Sequence, residues 1–327
     1  MAGASFHAPF IAATPGLRLA AIVTRDDERR ARARREHPEA ALLQSADDVW
    51  ENAHELELVV VAAPNREHVP LALEALDAGL DVVVDKPLAP TSADAITLVE
   101  AAGDRGSMLT VFQNRRWDGD FLTVRALLEQ QALGAIFRFE SRYERWRPEV
   151  GSGWREQPAP EEAGGLLFDL GSHLVDQAIV LFGAVDEVYA ELDARRPAAR
   201  VDDDVFVALE HSSGVRSHLW MSAVAAQHGP RFRLFGDRAA FVKYGMDVQE
   251  EALRAGLSPL DPAWGVEPDD AWGELGVDGD LRRVPTEPGS YGAFYEGVAA
   301  SLHRGVPPPV DPRDAIEVLK VLEAARA

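Results

Sequence analysis

Asp169 and His173 stand four residues apart, with Gly171 between them, in the run Gly164-Gly165-Leu166-Leu167-Phe168-Asp169-Leu170-Gly171-Ser172-His173. Within a helix that spacing puts two side chains on one face, and at a helix entrance it can still bring them together. A carboxylate beside an imidazole orients the ring and raises its basicity, which suits a general base near neutral pH. The same spacing describes an acid in a first helical turn next to a structural histidine, so the pair alone does not decide. Lys86, in Asp85-Lys86-Pro87, is the third candidate. Only three of the 33 basic residues are lysine: Lys86, Lys243 and Lys320. In a chain so rich in arginine and alanine, a retained lysine points to a place where arginine will not serve. For Lys243 and Lys320, chance is the plainer reading.

These residues need elements to hold them. The first hundred residues alternate between short apolar runs and amphipathic stretches. Strands are expected at 17–23, 56–63, 81–85 and 108–112, the second being nearly all apolar, as a strand covered on both faces should be. Helices are expected at about 24–36, 47–54, 67–78 and 92–102, the last two ending at Gly79 and near Gly103. The alternation implies a parallel, doubly wound sheet with right-handed crossovers. In that architecture ligands bind at the carboxyl ends of the strands. Thr24-Arg25, Pro64-Asn65 and Asp85-Lys86-Pro87 all fall at such ends.

The glycine-rich phosphate loop of a dinucleotide-binding unit is not evident. Met1-Ala2-Gly3-Ala4-Ser5 leads directly into what reads as the first helix, so Gly3 takes the place of the third glycine. The expectation is that the first strand and two glycines lie upstream of Met1. In the order 3-2-1-4-5-6 that strand is central, and its loss leaves inner edges unpaired.

From about residue 117 the pattern changes. A helix is expected at 118–131 and another at 172–182. Half-exposed strands are expected at 136–143, 187–192, 204–210, 215–220, 231–235 and 239–243, long loops over 244–290, and closing helices at 292–303 and 314–325. The boundaries are therefore a dinucleotide-binding domain over 1–116 and an α+β substrate-binding and oligomerisation domain over 117–327. The fold class is α/β, a Rossmann sheet followed by a large, open-faced, mainly antiparallel sheet.

Composition narrows the function. The chain has 327 residues, 46% hydrophobic and 27% charged, with a net charge of −21 and no cysteine. Nucleic acid would be repelled by the average surface. Disulfides, cysteine-based metal sites and thiol catalysis are excluded, and no metal site is expected. No apolar run is long enough to span a membrane, and the N-terminal residues do not read as a secretory signal. A cytoplasmic protein is the expectation.

The ordered series Ala63-Pro64-Asn65 with His68, Asp85-Lys86-Pro87, Asn114-Arg115-Arg116-Trp117, and Gly165 through Asp169, Gly171, His173 and Asp176 resembles the glucose–fructose oxidoreductase / inositol dehydrogenase / rhizopine-catabolism family. Ser5-Phe6-His7-Ala8-Pro9, Trp154-Arg155-Glu156-Gln157 and Val242-Lys243-Tyr244-Gly245 look most like its NADP-dependent scyllo-inositol dehydrogenase branch. The resemblance runs from residue 3 nearly to 327. It implies hydride transfer between a sugar or cyclitol carbinol and a nicotinamide. It implies that Lys86, Asp169 and His173 form the catalytic trio. His173 would take the hydroxyl proton, Asp169 would orient His173 and bind a substrate hydroxyl, and Lys86 would stabilise the alkoxide. It further implies that Asn114, Arg115 and Asp176 touch substrate, and that Gly3, Thr24, Arg25, Pro64, Asn65, His68 and Lys86 border the cofactor, His68 more as structure than as catalyst. Thr24-Arg25 at the end of the second strand favours the 2′-phosphate of NADP over NAD, although Asp26 could still serve NAD. The expected partners are a polyol or sugar and further copies of the chain, as a homodimer or homotetramer. A non-catalytic sensor on the same fold and an inactive truncated dehydrogenase are the competing readings.

Overall fold

A computed structural model describes residues 3–151 and 163–327. The Trp154-Arg155-Glu156-Gln157 motif lies outside the described residues. The N-terminal half carries five parallel strands in two separate sheets. One is β1 (Ala21–Val23) beside β2 (Ala41–Leu43); the other has the order β3 (Leu58–Val61), β4 (Asp81–Asp85), β5 (Leu109–Phe112). These match strands 3-2 and 4-5-6 of a doubly wound sheet. Among the described residues no strand lies between β1 and β3, so each has one unpaired edge.

Strand β4 has the expected bounds, because its valines are walled by Gly79 (φ 79°) and by Pro87. Strand β1 keeps only three of the seven residues expected, and β2 was not expected at all. The helix following β1, α2 (Asp27–Glu36), starts at Asp27, since Asp26 is its N-cap and accepts the Arg29 amide at 2.8 Å. The turn after β3 leads into α4 (His68–Asp77). The helix over Ser92–Arg105, α5, runs straight through Gly103. Its left-handed terminator is Gly106 (φ 66°), whose amide closes on Ala102 and Gly103.

The second half is one continuous eight-stranded sheet, in which β6 (Ile136–Glu144) pairs β9 (Arg216–Ser222) in parallel and every other neighbour is antiparallel. From one edge the order runs β13 (Asp280–Val284), β12 (Gly273–Val277), β11 (Ala240–Lys243), β10 (Phe232–Gly236), β6, β9, β8 (Asp204–His211), β7 (Val185–Asp193). The 244–290 stretch is therefore not all loop. It contributes the β12–β13 hairpin, which extends the sheet, and a short helix, α9 (Gln249–Arg254). Strict alternation buries one face, with Val205, Val207, Leu219, Phe139 and Leu234 at 0–3% exposure. Helix α8 (Gly171–Phe182) and the last helix, α11 (Pro312–Arg326), cover that face. The opposite face is left half-exposed. There Phe206 and Trp220 lie 5.1 Å apart, and the Arg142 guanidinium sits 3.9 Å over Trp220. No helix among the described residues is long and apolar enough to cross a membrane.

Candidate active site

Strand ends deliver the first half of the site. Thr24 and Arg25 follow β1, Pro64 and Asn65 follow β3, and Lys86 follows β4. His68, at the start of α4, laces two of these ends together: its Nδ1 lies 2.8 Å from the Pro87 carbonyl and its Nε2 3.0 Å from the Ala63 carbonyl. Both ring nitrogens face main-chain carbonyls, and the one that carries the ring N–H donates to its carbonyl, so His68 serves the structure of these strand ends. Asn65 is buried beside it.

The second half of the site is built on a broken helix. Gly165 (φ 93°) opens the short helix α7 (Leu166–Asp169), and a Cβ there would fall 2.1 Å from an Asp202 carboxylate oxygen. That carboxylate accepts the Leu167 amide at 2.7 Å and so caps the turn that ends in Asp169. After Leu170 the chain restarts as α8 at Gly171, where a side chain would press on Met221. His173 follows, buried at 6% exposure.

The geometry pairs Lys86 with Asp169. The Lys86 ammonium donates to the Asp169 carboxylate at 3.0 Å and also to the Asp169 main-chain oxygen. His173 Nδ1 makes no hydrogen bond among the described residues. The expected carboxylate–imidazole orientation is therefore not present in this state, because α7 and α8 are separate helices and Asp169 turns to Lys86 instead. The expected rise in basicity is reversed too. Burial, followed by the charges of Lys86, Arg115, Arg231 and Arg145, holds the His173 imidazole well below its ordinary value.

The remaining expected substrate contacts are deep and already occupied. Asp176 is held by Arg116 through two bonds of 2.9 and 2.7 Å, and Arg116 also reaches Asp314 at 3.0 Å. Arg115, far from being a surface cation, is 7% exposed and donates to Asp118, Tyr143 and Glu250. Asn114 is buried on the same 3-10 turn. Arg116 was no candidate by spacing, since its acids lie 60 and 198 residues away. Lys243 is fully buried against Glu267 at 2.8 Å, so its retention is structural. Lys320 is an exposed surface cation.

At the end of β1, Asp26 is used as the helix cap, leaving Arg25 as the available charge. Arg25 donates to the Gln44 carbonyl at 3.0 Å and has no carboxylate within ion-pair distance among the described residues. A phosphate-bearing dinucleotide lying across these strand ends would meet the Arg25 guanidinium at one end and Lys86 at the other, so the residues present fit the group. Gly3 opens a π-helical turn, Gly3–His7, that leads into α1 (Ala8–Ala13), and it packs near Ala62 beyond β3.

Residues 1–113 match the profile of an oxidoreductase family with an NAD-binding Rossmann fold, and residues 121–242 match the Gfo/Idh/MocA C-terminal domain. The chain belongs to the Gfo/Idh/MocA oxidoreductase family. It is 34% identical to the NADP-dependent scyllo-inositol 2-dehydrogenase IolW of Bacillus subtilis, covering 99% of this chain and 90% of that protein. It is 38% identical to the oxidoreductase YdgJ of Escherichia coli, over 98% and 92% of the two chains. The solved structure of the B. subtilis oxidoreductase YvaA superposes with a TM-score of 0.93 at 34% identity, covering 99% and 92%. As in other Gfo/Idh/MocA proteins, a Rossmann-like parallel half is followed by a half with a large mixed sheet.

Proposed function

We propose that this protein is an NADP-dependent dehydrogenase acting on a carbinol of a cyclitol or sugar, in the manner of scyllo-inositol dehydrogenase. The observation that carries the reading is the Lys86 ammonium, placed at a strand end, held by Asp169 and set near a buried imidazole. A bound nicotinamide dinucleotide supplies the hydride acceptor. The chain supplies the rest. His173, neutral among these cations, presents a ring nitrogen to the hydroxyl proton, and its lowered basicity is met by the Lys86 charge, which acidifies that hydroxyl. Lys86 stabilises negative charge on the reacting oxygen. Asp169 positions the ammonium. Arg25 favours the 2′-phosphate of NADP. The 34% identity to an NADP-dependent inositol dehydrogenase supports both the substrate class and the cofactor.

The test is a panel of inositols and aldoses with NADP and with NAD, followed through the absorbance of the reduced nicotinamide. Turnover of at least one cyclitol or aldose, faster with NADP, is expected. Tight cofactor binding without turnover of any polyol would sink the dehydrogenase reading in favour of a sensor.

A further inference from the structure

A buried polar chain runs behind Lys86. His7 Nδ1 lies 2.6 Å from the Tyr295 hydroxyl, and His7 Nε2 lies 3.8 Å from an Asp85 carboxylate oxygen. The other Asp85 oxygen accepts the Lys86 amide at 2.8 Å. His7 and Tyr295 are 2% and 0% exposed, and the His7 ring is fixed against Phe112 at 4.4 Å. Burial and the Asp85 charge push the Tyr295 phenol well above its ordinary value, so it keeps its proton. Among the described residues that proton has one acceptor, His7 Nδ1, which places the His7 proton on Nε2, facing the Asp85 carboxylate. Three distant pieces of chain meet here: the first helical turn, the end of β4, and the helix over Gly292–Arg304, α10. Lys86 is therefore gripped twice. Its main chain is bonded to Asp85, whose other oxygen faces the buried and unbonded His7 Nε2 at 3.8 Å, and its ammonium is tied to Asp169.

We propose that His7 is a positioning residue for Lys86: its Nε2–H steadies the Asp85 carboxylate, which fixes the end of β4 and aims the ammonium. The effect on rate rests on the reading of Lys86 as the electrostatic catalyst; the effect on Lys86 itself does not. A misplacement of about 1 Å at a reacting group can cost up to about a hundredfold in rate.

The test exploits the lysine count. With three lysines in the chain, 13Cε-lysine labelling gives three NMR signals, and Lys86→Arg identifies that of Lys86. Glutamine places an N–H where His7 has Nε2; asparagine reaches only to the Nδ1 position and cannot face Asp85. His7→Asn is expected to shift or broaden the Lys86 signal, leave those of Lys243 and Lys320 in place, and lower kcat about tenfold or more with little change in the polyol KM. His7→Gln is expected to restore both. Melting curves accompany each variant. An unmoved Lys86 signal in His7→Asn overturns the proposal. So do equal losses in the two variants that track their melting temperatures, because these mark simple packing. Should His7→Asn fail to fold, Tyr295→Phe, which removes the bond that sets the His7 tautomer, is read on the same Lys86 signal, and an unmoved signal there overturns the proposal. If the signal moves as expected while Lys86→Arg leaves kcat intact, the catalytic reading of Lys86 falls and the positioning remains.

Discussion

Edge strands in the two halves of this protein are made of different residues. The eight-stranded sheet ends in β13, Asp280-Leu281-Arg282-Arg283-Val284, and in β7, which carries Asp186, Glu187, Glu191 and Asp193. Both edges are rich in charge, the usual protection against pairing with another chain. The inner edges of the parallel half, β1 and β3, are Ala21-Ile22-Val23 and Leu58-Val59-Val60-Val61, with no charge at all. Strand β3 has the composition of an interior strand, yet Leu58, Val59 and Val60 are only half-buried, whereas Val82, Val83 and Val84 of the neighbouring β4 are fully buried. The contrast separates packing from catalysis. Lys86 directly follows β4, whose three valines are fully buried, while Arg25 follows β1, whose Val23 is 45% exposed.

The largest effect should come from that well-packed strand. Lys86→Arg is expected to lower kcat about 10²–10³-fold with the melting temperature nearly unchanged. A guanidinium is wider and forked, so preserving the charge does not preserve the fit at one oxygen beside Asp169. Steady-state kinetics on a verified substrate decides it; retention of more than about a third of kcat would remove Lys86 from the catalytic role.

The continuous sheet makes the second prediction. Its open face presents Phe206, Trp220, His218 and Tyr189 in mutual contact, with Tyr189 59% exposed. Exposed contiguous aromatic faces are a common signature of interfaces, and we propose that role for this one. A second copy is the expected occupant, and Trp220→Glu should weaken self-association about thirtyfold or more. Light scattering at micromolar concentration checks it, and a monomeric wild type would refute it.

The split sheet makes the third. A chain extended ahead of Gly3 by a β-strand and a Gly-x-Gly turn should gain stability, about 1–3 kcal/mol for each buried backbone group newly paired, together with NADP affinity. The two gains should come together, since the strand edge and the phosphate site are adjacent. An extended chain that melts no higher and binds no tighter would show that β1 and β3 are satisfied as they stand.

A smaller effect is expected at the cofactor's far end. Arg25→Asp should shift the kcat/KM ratio from NADP toward NAD about tenfold, the worth of one charge-assisted contact. An unchanged ratio would assign Arg25 elsewhere, and Asp26, being a helix cap, could not take over its role.

What was legible in the sequence follows the range of the forces involved. Strand β4 and the Asp85-Lys86 strand end could be read because local apolar pattern and turn residues agree there. The hairpin β12–β13 could not: Gly273-Glu274-Leu275-Gly276-Val277 and its charged partner are poor strand formers, held by pairing to β11 across a long loop. At the site, residue identity pointed to Lys86, Asp169 and His173, whose functional roles stay proposals. The pairing of Asp169 with Lys86, and the lowered rather than raised His173, depend on burial and on cations from four other segments. Neither is written in local spacing.

The last effect lies at the seam between the halves. The helix over Gly119–Glu129, α6, begins where the Asp247 carboxylate accepts the Gly119 amide at 2.8 Å, and the same carboxylate accepts the Gln249 amide at 2.8 Å. Burial, then the charge of Asp118, outweigh these bonds and raise Asp247 to about 7; burial also lifts Asp118 to about 6. A carboxyl raised in the folded state binds more protons folded than unfolded. Its stabilising contribution is fully present below about pH 4 and is lost as pH rises through about 7. Buried histidines such as His173 titrate with the opposite sign, so the raw pH profile of the protein mixes both. The difference between wild type and Asp247→Asn isolates the seam. Asparagine should be less stable than the protonated Asp247 carboxyl at pH 5, because a carboxyl oxygen that carries the proton can still accept an amide N–H, whereas an NH2 cannot. The wild-type advantage should then shrink by about 2–3 kcal/mol by pH 8, as the aspartate ionises and the amide does not. Denaturant melts of both proteins at pH 5, 6.5 and 8 measure it. An advantage constant across that range would mean that Asp247 is already ionised at pH 5, held by its amide donors against burial and the neighbouring Asp118.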